Sequence, residues 1–213
     1  MTNPTPPRRK ARIRENREHR ILVKAEEVFA EQGFVGATTG LIATKAGVSK
    51  ASLHYYFPTK EDLYRRVITD VCDSWLSVAE DFDEGDDPAV ALSNYLAAKM
   101  DLARLRPHGS KVWANEIIHG GKFTQDYLNT TVKTWFEGRV KIIKTWIDKG
   151  LIDPIDPAAL LYMIWGATQT FSDFDAQITV LNGGKPLSHE QHEQAKKTVI
   201  RVFLKGVGVK FED

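Results

Sequence analysis

Apolar residues recur along this 213-residue chain at helical spacing nearly everywhere. Ile42, Ala43 and Ala46 put apolar groups on one face of a short helix, which Gly47 ends because glycine tolerates φ > 0. Val48 is placed to plug the corner. Ser49 caps a second short helix over about residues 50–57, with Leu53 and Phe57 facing inward. Beyond Lys60, the residues Leu63, Val67, Val71, Trp75, Val78 and Phe82 mark one long helix, stopped by the acidic turn at residues 83–88. Ala91, Tyr95, Ala98, Leu102 and Leu105 mark the next, closed near Arg106-Pro107. A shorter helix runs through Val112, Trp113 and Ile117 to Gly120-Gly121. Phe123, Tyr127, Trp135, Ile142 and Trp146 define another long helix that stops at Lys149-Gly150. Asp156 caps a helix with Pro157 at its first position, running to about Val180. After a loop at residues 182–186, Ser188 caps a last helix containing Ala195, Val199, Phe203 and Gly206. No segment alternates as a strand would. The pattern predicts an all-α protein of about nine helices.

The helix pair around Gly47 is the most informative stretch. A short amphipathic pair joined by a glycine turn also suits simple packing in any helical domain, so the flanks decide. Upstream, Phe29-Ala30-Glu31-Gln32-Gly33-Phe34 is a helix closed by a glycine. Downstream, the string Tyr55-Tyr56-Phe57-Pro58-Thr59-Lys60-Glu61-Asp62-Leu63 ends one helix at proline and starts another capped by Thr59. Across about residues 18–68 this string resembles the TetR family of transcriptional regulators. The resemblance implies a three-helix DNA-binding domain followed by a connecting helix. On the second helix of the pair, Lys50, Ser52 and Tyr55 are candidates for base edges. Thr38, Tyr56 and Lys60 are candidates for phosphates. The chain departs from the family at Ala37, which cannot cap, so Thr38 or Thr39 takes that role one residue late. Gly40 weakens the helix they start by roughly 1 kcal/mol against alanine. His54 stands where the family often has tyrosine, so operator preference does not carry over from relatives.

Charge sharpens the division. The whole chain carries only +1. Residues 1–66, however, hold 13 Lys/Arg against 7 Asp/Glu, a net of +6, and the remainder is −5. One part therefore suits a polyanion and the other does not. Arg8, Arg9, Lys10, Arg12 and Arg14 follow a proline-rich start and read as a disordered basic arm over residues 1–14, or as a solubilising tail. The expected organisation is this arm, a helix-turn-helix domain over residues 15–62, and a helical ligand-binding and dimerisation domain over residues 63–213. No apolar run suits a signal peptide or a membrane span. The lone Cys72 forms no internal disulfide and reads as core beside Trp75. A reducing cytoplasm fits these features.

An enzyme is the rival class, and the motifs argue against it. The chain has no glycine-rich phosphate loop, nucleophile elbow or clustered metal-ligand spacing. His189 and His192 read as surface residues rather than a metal site. No catalytic residue, metal or cofactor is expected.

The helix predicted over residues 156–180 is apolar over too wide an arc for one contact: Leu160, Leu161, Ile164, Trp165, Thr168 and Phe171 all contribute. One side suits the core. The other, with the last helix, suits a second copy of the chain, the arrangement that the TetR resemblance also implies. Trp165, Gln169 and Asp173 recur four residues apart and are candidates to line a pocket for a small planar polar effector, or are satisfied core and surface groups. Trp75, Trp113, Asn115, Glu116 and Tyr162 could reach the same cavity. The string Pro154-Ile155-Asp156-Pro157, Met163-Ile164-Trp165, Thr168-Gln169 and Asp173-Phe174 is similar to the TetR branch of pyrimidine-utilisation repressors that sense uracil. The match is patchy over residues 82–149, so uracil, another pyrimidine or purine, and a breakdown product stay open. The reading is a homodimeric repressor released from double-stranded DNA by a small molecule. Its alternative is an activator or architectural regulator without an effector.

Overall fold

The computed structural model describes residues 7–78, 83 and 85–209. In chain order these form α1 (Pro7–Gly36), α2 (Thr39–Ala46), α3 (Lys50–Tyr56), α4 (Lys60–Ser77), α5 (Pro88–Leu105), α6 (Pro107–Ile118), α7 (Gln125–Tyr127), α8 (Lys133–Asp148), α9 (Pro157–Asp173), α10 (Asp175–Leu181) and α11 (His189–Gly206). The single turn α7 passes through a π-helical turn, Leu128–Val132, into α8. Counted with α8, it leaves ten helices and no strand among the described residues. The class is all-α, as expected.

The capping chemistry falls where the side chains place it. Ser49 accepts from the backbone N–H of Ser52, and Asp156 from Ala158 and Ala159 with Pro157 at the first helical position. Thr59 with Asp62, and Ser188 with Gln191, form reciprocal capping boxes. Thr38 rather than Thr39 caps α2, accepting from Leu41 N–H at 3.2 Å. Gly33 and Gly47 both adopt positive φ, 66° and 63°, closing the regular part of α1 and the end of α2.

Three expectations change. The basic segment expected to be disordered is helical from Pro7 onward, because α1 begins there; residues 1–6 lie outside the described residues. The connecting helix α4 ends at Ser77, and Phe82, expected to close it, lies outside the described residues. The helix expected over residues 156–180 breaks at Phe174, between α9 and α10. That break sits between two carboxylates held by neighbouring α6 residues. Asp173 accepts from Ser110 at 2.5 Å, and Asp175 pairs with Lys111 at 2.7 Å. No glycine or proline announces it.

Two apolar clusters organise the chain. The first joins Ile21, Val28 and Phe29 of α1, Ile42 and Ala46 of α2, Leu53 of α3, and Leu63, Val67 and Ile68 of α4. Val112 of α6 also belongs to it, with Trp113 and Phe123 packed on its edge. The second joins Leu92, Tyr95 and Leu96 of α5, Ile143 and Trp146 of α8, Leu160, Leu161 and Ile164 of α9, and Leu204 of α11. The C-terminal end of α4 reaches the second as well, since its C-cap Val78 packs there. Helix α4 is not alone in bridging them, because α6 packs along α1 as well as against α9.

Candidate nucleic-acid interface and effector site

Helix α3 has seven residues and buries only Leu53, so its position is set by the packing of that side chain and of Phe57 into the first cluster. Arg20 of α1 reaches across and donates to the carbonyls of Ala46 at 2.5 Å and Gly47 at 3.3 Å, holding the turn between α2 and α3. The opposite side of α3 faces outward. Lys50 is exposed, Ser52 is half-buried, and Tyr55 is 71% exposed. Tyr55 and half-buried Tyr56 meet edge to face at 5.4 Å. The Arg14 guanidinium lies 5.9 and 6.0 Å from their ring centres, close enough for cation–π attraction. A basic residue assigned to a loose arm thus stands beside the outward face of α3. Exposed Thr38 sits at the start of α2. Thr39 and His54 face each other at 3.4 Å across α2 and α3, while the other ring nitrogen of His54 lies 3.0 Å from the Pro58 carbonyl.

Lys60 is placed differently from the others. Its ammonium donates to the carbonyls of Phe34 at 2.8 Å and Ala37 at 3.0 Å, and lies 4.4 Å from the Phe34 ring centre. It therefore satisfies carbonyls just after the regular part of α1, and two of its three donors are occupied there.

Several of the six expected effector residues are engaged by other protein groups. Trp165 donates its indole N–H to Tyr95 Oη at 2.9 Å and packs with Trp135 and Phe136. Asp173 is held by Ser110, and burial raises its pKa against the lowering effects of Ser110, Lys111 and Lys99. Gln169 is half-buried between them on α9. Trp75 and Trp113 meet edge to face at 5.9 Å. Tyr162 is 57% exposed, stacked on Phe136 at 5.3 Å and edge to face with Trp165 at 5.8 Å. Glu116 is drawn elsewhere, accepting the backbone N–H of Phe123 at 2.6 Å. A cleft of about 780 Å³ opens between α5 and α11 beside Val90, Asn94, Thr198 and Ile200. It contains none of the six.

A residue that sequence reasoning missed stands among them. Lys99 of α5 is 3% exposed, and its ammonium lies 4.7 Å from the Trp75 ring centre and 6.0 Å from that of Tyr95. Burial pushes its pKa down to about 8, with Cys72 and Asp173 acting weakly the other way. Lys99 falls at the inward position four residues after Tyr95, a lysine within an apolar stripe, and that was the available signal. Trp75, Trp113, Lys99, Trp165, Gln169 and Asp173 bring together aromatic faces, a buried cation and a carboxyl group. Such a set can hold a flat molecule carrying both hydrogen-bond acceptors and donors.

His192, expected at the surface, is instead buried and stacks on Phe171 at 6.2 Å. Among the described residues no group of three or more His, Cys, Asp or Glu could hold a metal ion, and no helix is long and apolar enough to cross a membrane.

Residues 21–67 match the family described as bacterial regulatory proteins, tetR family, and residues 68–210 match the YcdC-like protein, C-terminal region. The chain is 33% identical over 187 residues to the HTH-type transcriptional regulator RutR of Escherichia coli strain K12, covering 88% of each chain. It is 24% identical over 157 residues to the uncharacterized HTH-type transcriptional regulator YfiR of Bacillus subtilis strain 168, covering 70% of this chain and 74% of that one. Among solved structures, a tetR-family bacterial regulatory protein from Rhodococcus RHA1 superposes with a TM-score of 0.72 at 20% identity, covering 92% of this chain and 98% of that one. The ketosteroid transcriptional regulator KstR2 of Mycobacterium tuberculosis superposes at 0.68 and 19% identity, covering 92% and 96%.

Proposed function

The chain belongs to the TetR family of transcriptional regulators, and from that premise we propose a homodimeric repressor that leaves its inverted-repeat operator when a small planar metabolite binds beside Lys99. The observation that carries the DNA-binding half is the outward face of α3. Lys50, Ser52 and Tyr55 extend from a helix fixed by Leu53, at a corner made by Gly47. Lys50, Ser52 and Tyr55 read bases, with His54 beside them. Thr38, Thr39, Tyr56 and Arg14 serve the backbone, and the third donor of Lys60 is free to do the same.

Dimerisation rests on an unpaired surface. Met163, Gly166, Thr170 and Phe174 follow one another along the exposed side of α9, with Tyr162 beside them. Thr198, Val202 and Gly206 do the same on α11. Apolar side chains separated by glycines suit close packing against the same surface of a second copy. The two α3 helices would then enter successive major grooves.

The effector reading rests on the Lys99 group together with the resemblance around Trp165, Gln169 and Asp173. A planar pyrimidine or related nitrogen compound fits its chemistry. Its carbonyl accepts from Lys99 or Gln169, its N–H donates to Asp173, and its face lies against Trp75 or Trp113. Asp173 Oδ1 already accepts from the Ser110 hydroxyl, so a ligand N–H competes with Ser110 there. The test is calorimetry with uracil, thymine, purines and their degradation products, followed by operator release. Binding that is lost in Asp173→Ala and Gln169→Ala supports the site. If no compound binds and no ligand alters operator affinity, a regulator without an effector replaces it.

A further inference from the structure

The first turns of α6 are held from two sides. On one side, Ser110 donates to Asp173 and Lys111 pairs with Asp175, fastening α6 to the junction of α9 and α10. On the other side, Arg106, the residue shared by the end of α5 and the start of α6, reaches the helices of the DNA-binding head. Its Nη2 lies 2.7 Å from Glu26 Oε2 on α1 and 3.0 Å from Asp70 Oδ2 on α4, and its Nη1 donates to Ser74 Oγ at 3.0 Å. Burial works against this guanidinium, but Glu26 and Asp70 more than offset it and raise its pKa. Glu26 is itself buried. Between Arg106 and Ser110, Gly109 lies so close to both helices that a Cβ there would stand 2.7 Å from Val71 Cγ2 and 3.0 Å from Glu26 Oε1. Beside this clasp an open cleft of about 480 Å³ separates Val23 of α1 from Leu105 and His108. The guanidinium adds a charged tie between the head and the α5–α6 corner, beside the direct packing of Gly109 on Val71 and of Val112 in the first cluster.

We infer that Arg106 is the positioning residue through which a change at Asp173 reaches the DNA-binding head, with the turn from Arg106 to Ser110 as the rigid link. Only four residues, one helical turn, separate the two contacts, so a shift of α6 that follows exchange of Ser110 at Asp173 moves the guanidinium with it. Glu26 and Asp70 then turn α1 and α4 together, because one side chain holds both. Gly109 leaves no slack in which the movement could be absorbed.

This inference rests on the proposed operator binding, and a double-mutant cycle separates the two. DNA enriched by the wild-type dimer from a random library serves as the operator, and its affinity is measured for Asp173→Asn, Arg106→Gln and the pair. Asp173→Asn should change operator affinity by about 5-fold in the wild-type background and by close to 1-fold when Arg106 is absent. Arg106→Lys keeps the charge without the fork and should restore part of the coupling. Glu26→Gln opens the clasp from the other side, and it carries the test if Arg106→Gln fails to fold. A residue with a purely structural role would lower affinity equally in both backgrounds. Additive effects, or no effect of Asp173→Asn in either background, would overturn the link and leave DNA binding intact. A wild-type dimer that enriches no DNA would overturn the proposed function and the link with it.

Discussion

The indole N–H of Trp165 donates to Tyr95 Oη at 2.9 Å, so this donor is already satisfied by the protein. In the proposed effector site Trp165 therefore offers its ring, and polar recognition falls to Lys99, Gln169 and Asp173. Tyr95→Phe should leave this donor without its acceptor and cost about 1–3 kcal/mol of stability, read from urea denaturation. Trp165→Phe should cost less than the loss of a buried partner implies, since Tyr95 can then turn to other neighbours. Equal losses in the two variants would mean that packing, not the hydrogen bond, dominates at this contact.

Lys99 gives stability a defined pH dependence. Its pKa falls from the ordinary 10.5 to about 8 in the folded chain. Between those values the unfolded chain binds more protons, so this group's destabilising effect is complete below pH 8 and disappears as pH rises toward 10.5. The difference amounts to about 3 kcal/mol. Lys99→Met should be the more stable protein at pH 7, and its advantage should shrink between pH 8 and 9.5. Parallel stability profiles for the two proteins would show that the buried amine is not the source. The same variant should lose effector binding.

Gly40 is a correctable weakness in α2. A Cβ there meets nothing closer than Thr38 Oγ1 at 3.9 Å, and the backbone is not in the left-handed region. Gly40→Ala should raise stability by about 0.5–1 kcal/mol. Gly47→Ala should do the opposite, because φ is 63° and Arg20 already occupies the adjacent space. Thermal unfolding of the two variants should move in opposite directions.

Much of the head was legible because its signals are local. Gly33, Gly47, Ser49 and Thr59 each act on the backbone within a few residues and stand where that chemistry demands, as Asp156 does outside the head. The break at Phe174 was not legible, since it coincides with contacts from Asp173 and Asp175 to α6, more than sixty residues away in sequence. The same holds for Lys60, whose exposed position in the pattern conceals its engagement with the end of α1. The candidate effector residues Trp165, Gln169 and Asp173 were legible as a stripe on α9. Their helical spacing placed them on one helix, but it could not reveal that Tyr95, Lys99 and Ser110 occupy the space in front.

Charge placed on the exposed α9 and α11 surface should divide the proposed dimer. Met163→Glu and Val202→Glu each set two like charges near one another across a two-fold contact. Sedimentation should then show monomer at micromolar concentration, with operator affinity lowered together with assembly. A variant that stays dimeric would move the interface to another surface.

The proposed account depends first on paired, sequence-specific DNA binding through α3. The most direct measurement is enrichment of a random duplex library by the wild-type protein alongside Tyr55→Ala, followed by affinity titration of the enriched DNA. The expected result for the wild type is an inverted repeat whose half-sites are separated by about one helical turn or a multiple of it. In Tyr55→Ala, preference should relax at defined positions of each half-site. Enrichment of a single asymmetric site, or identical preferences in the two proteins, would contradict it.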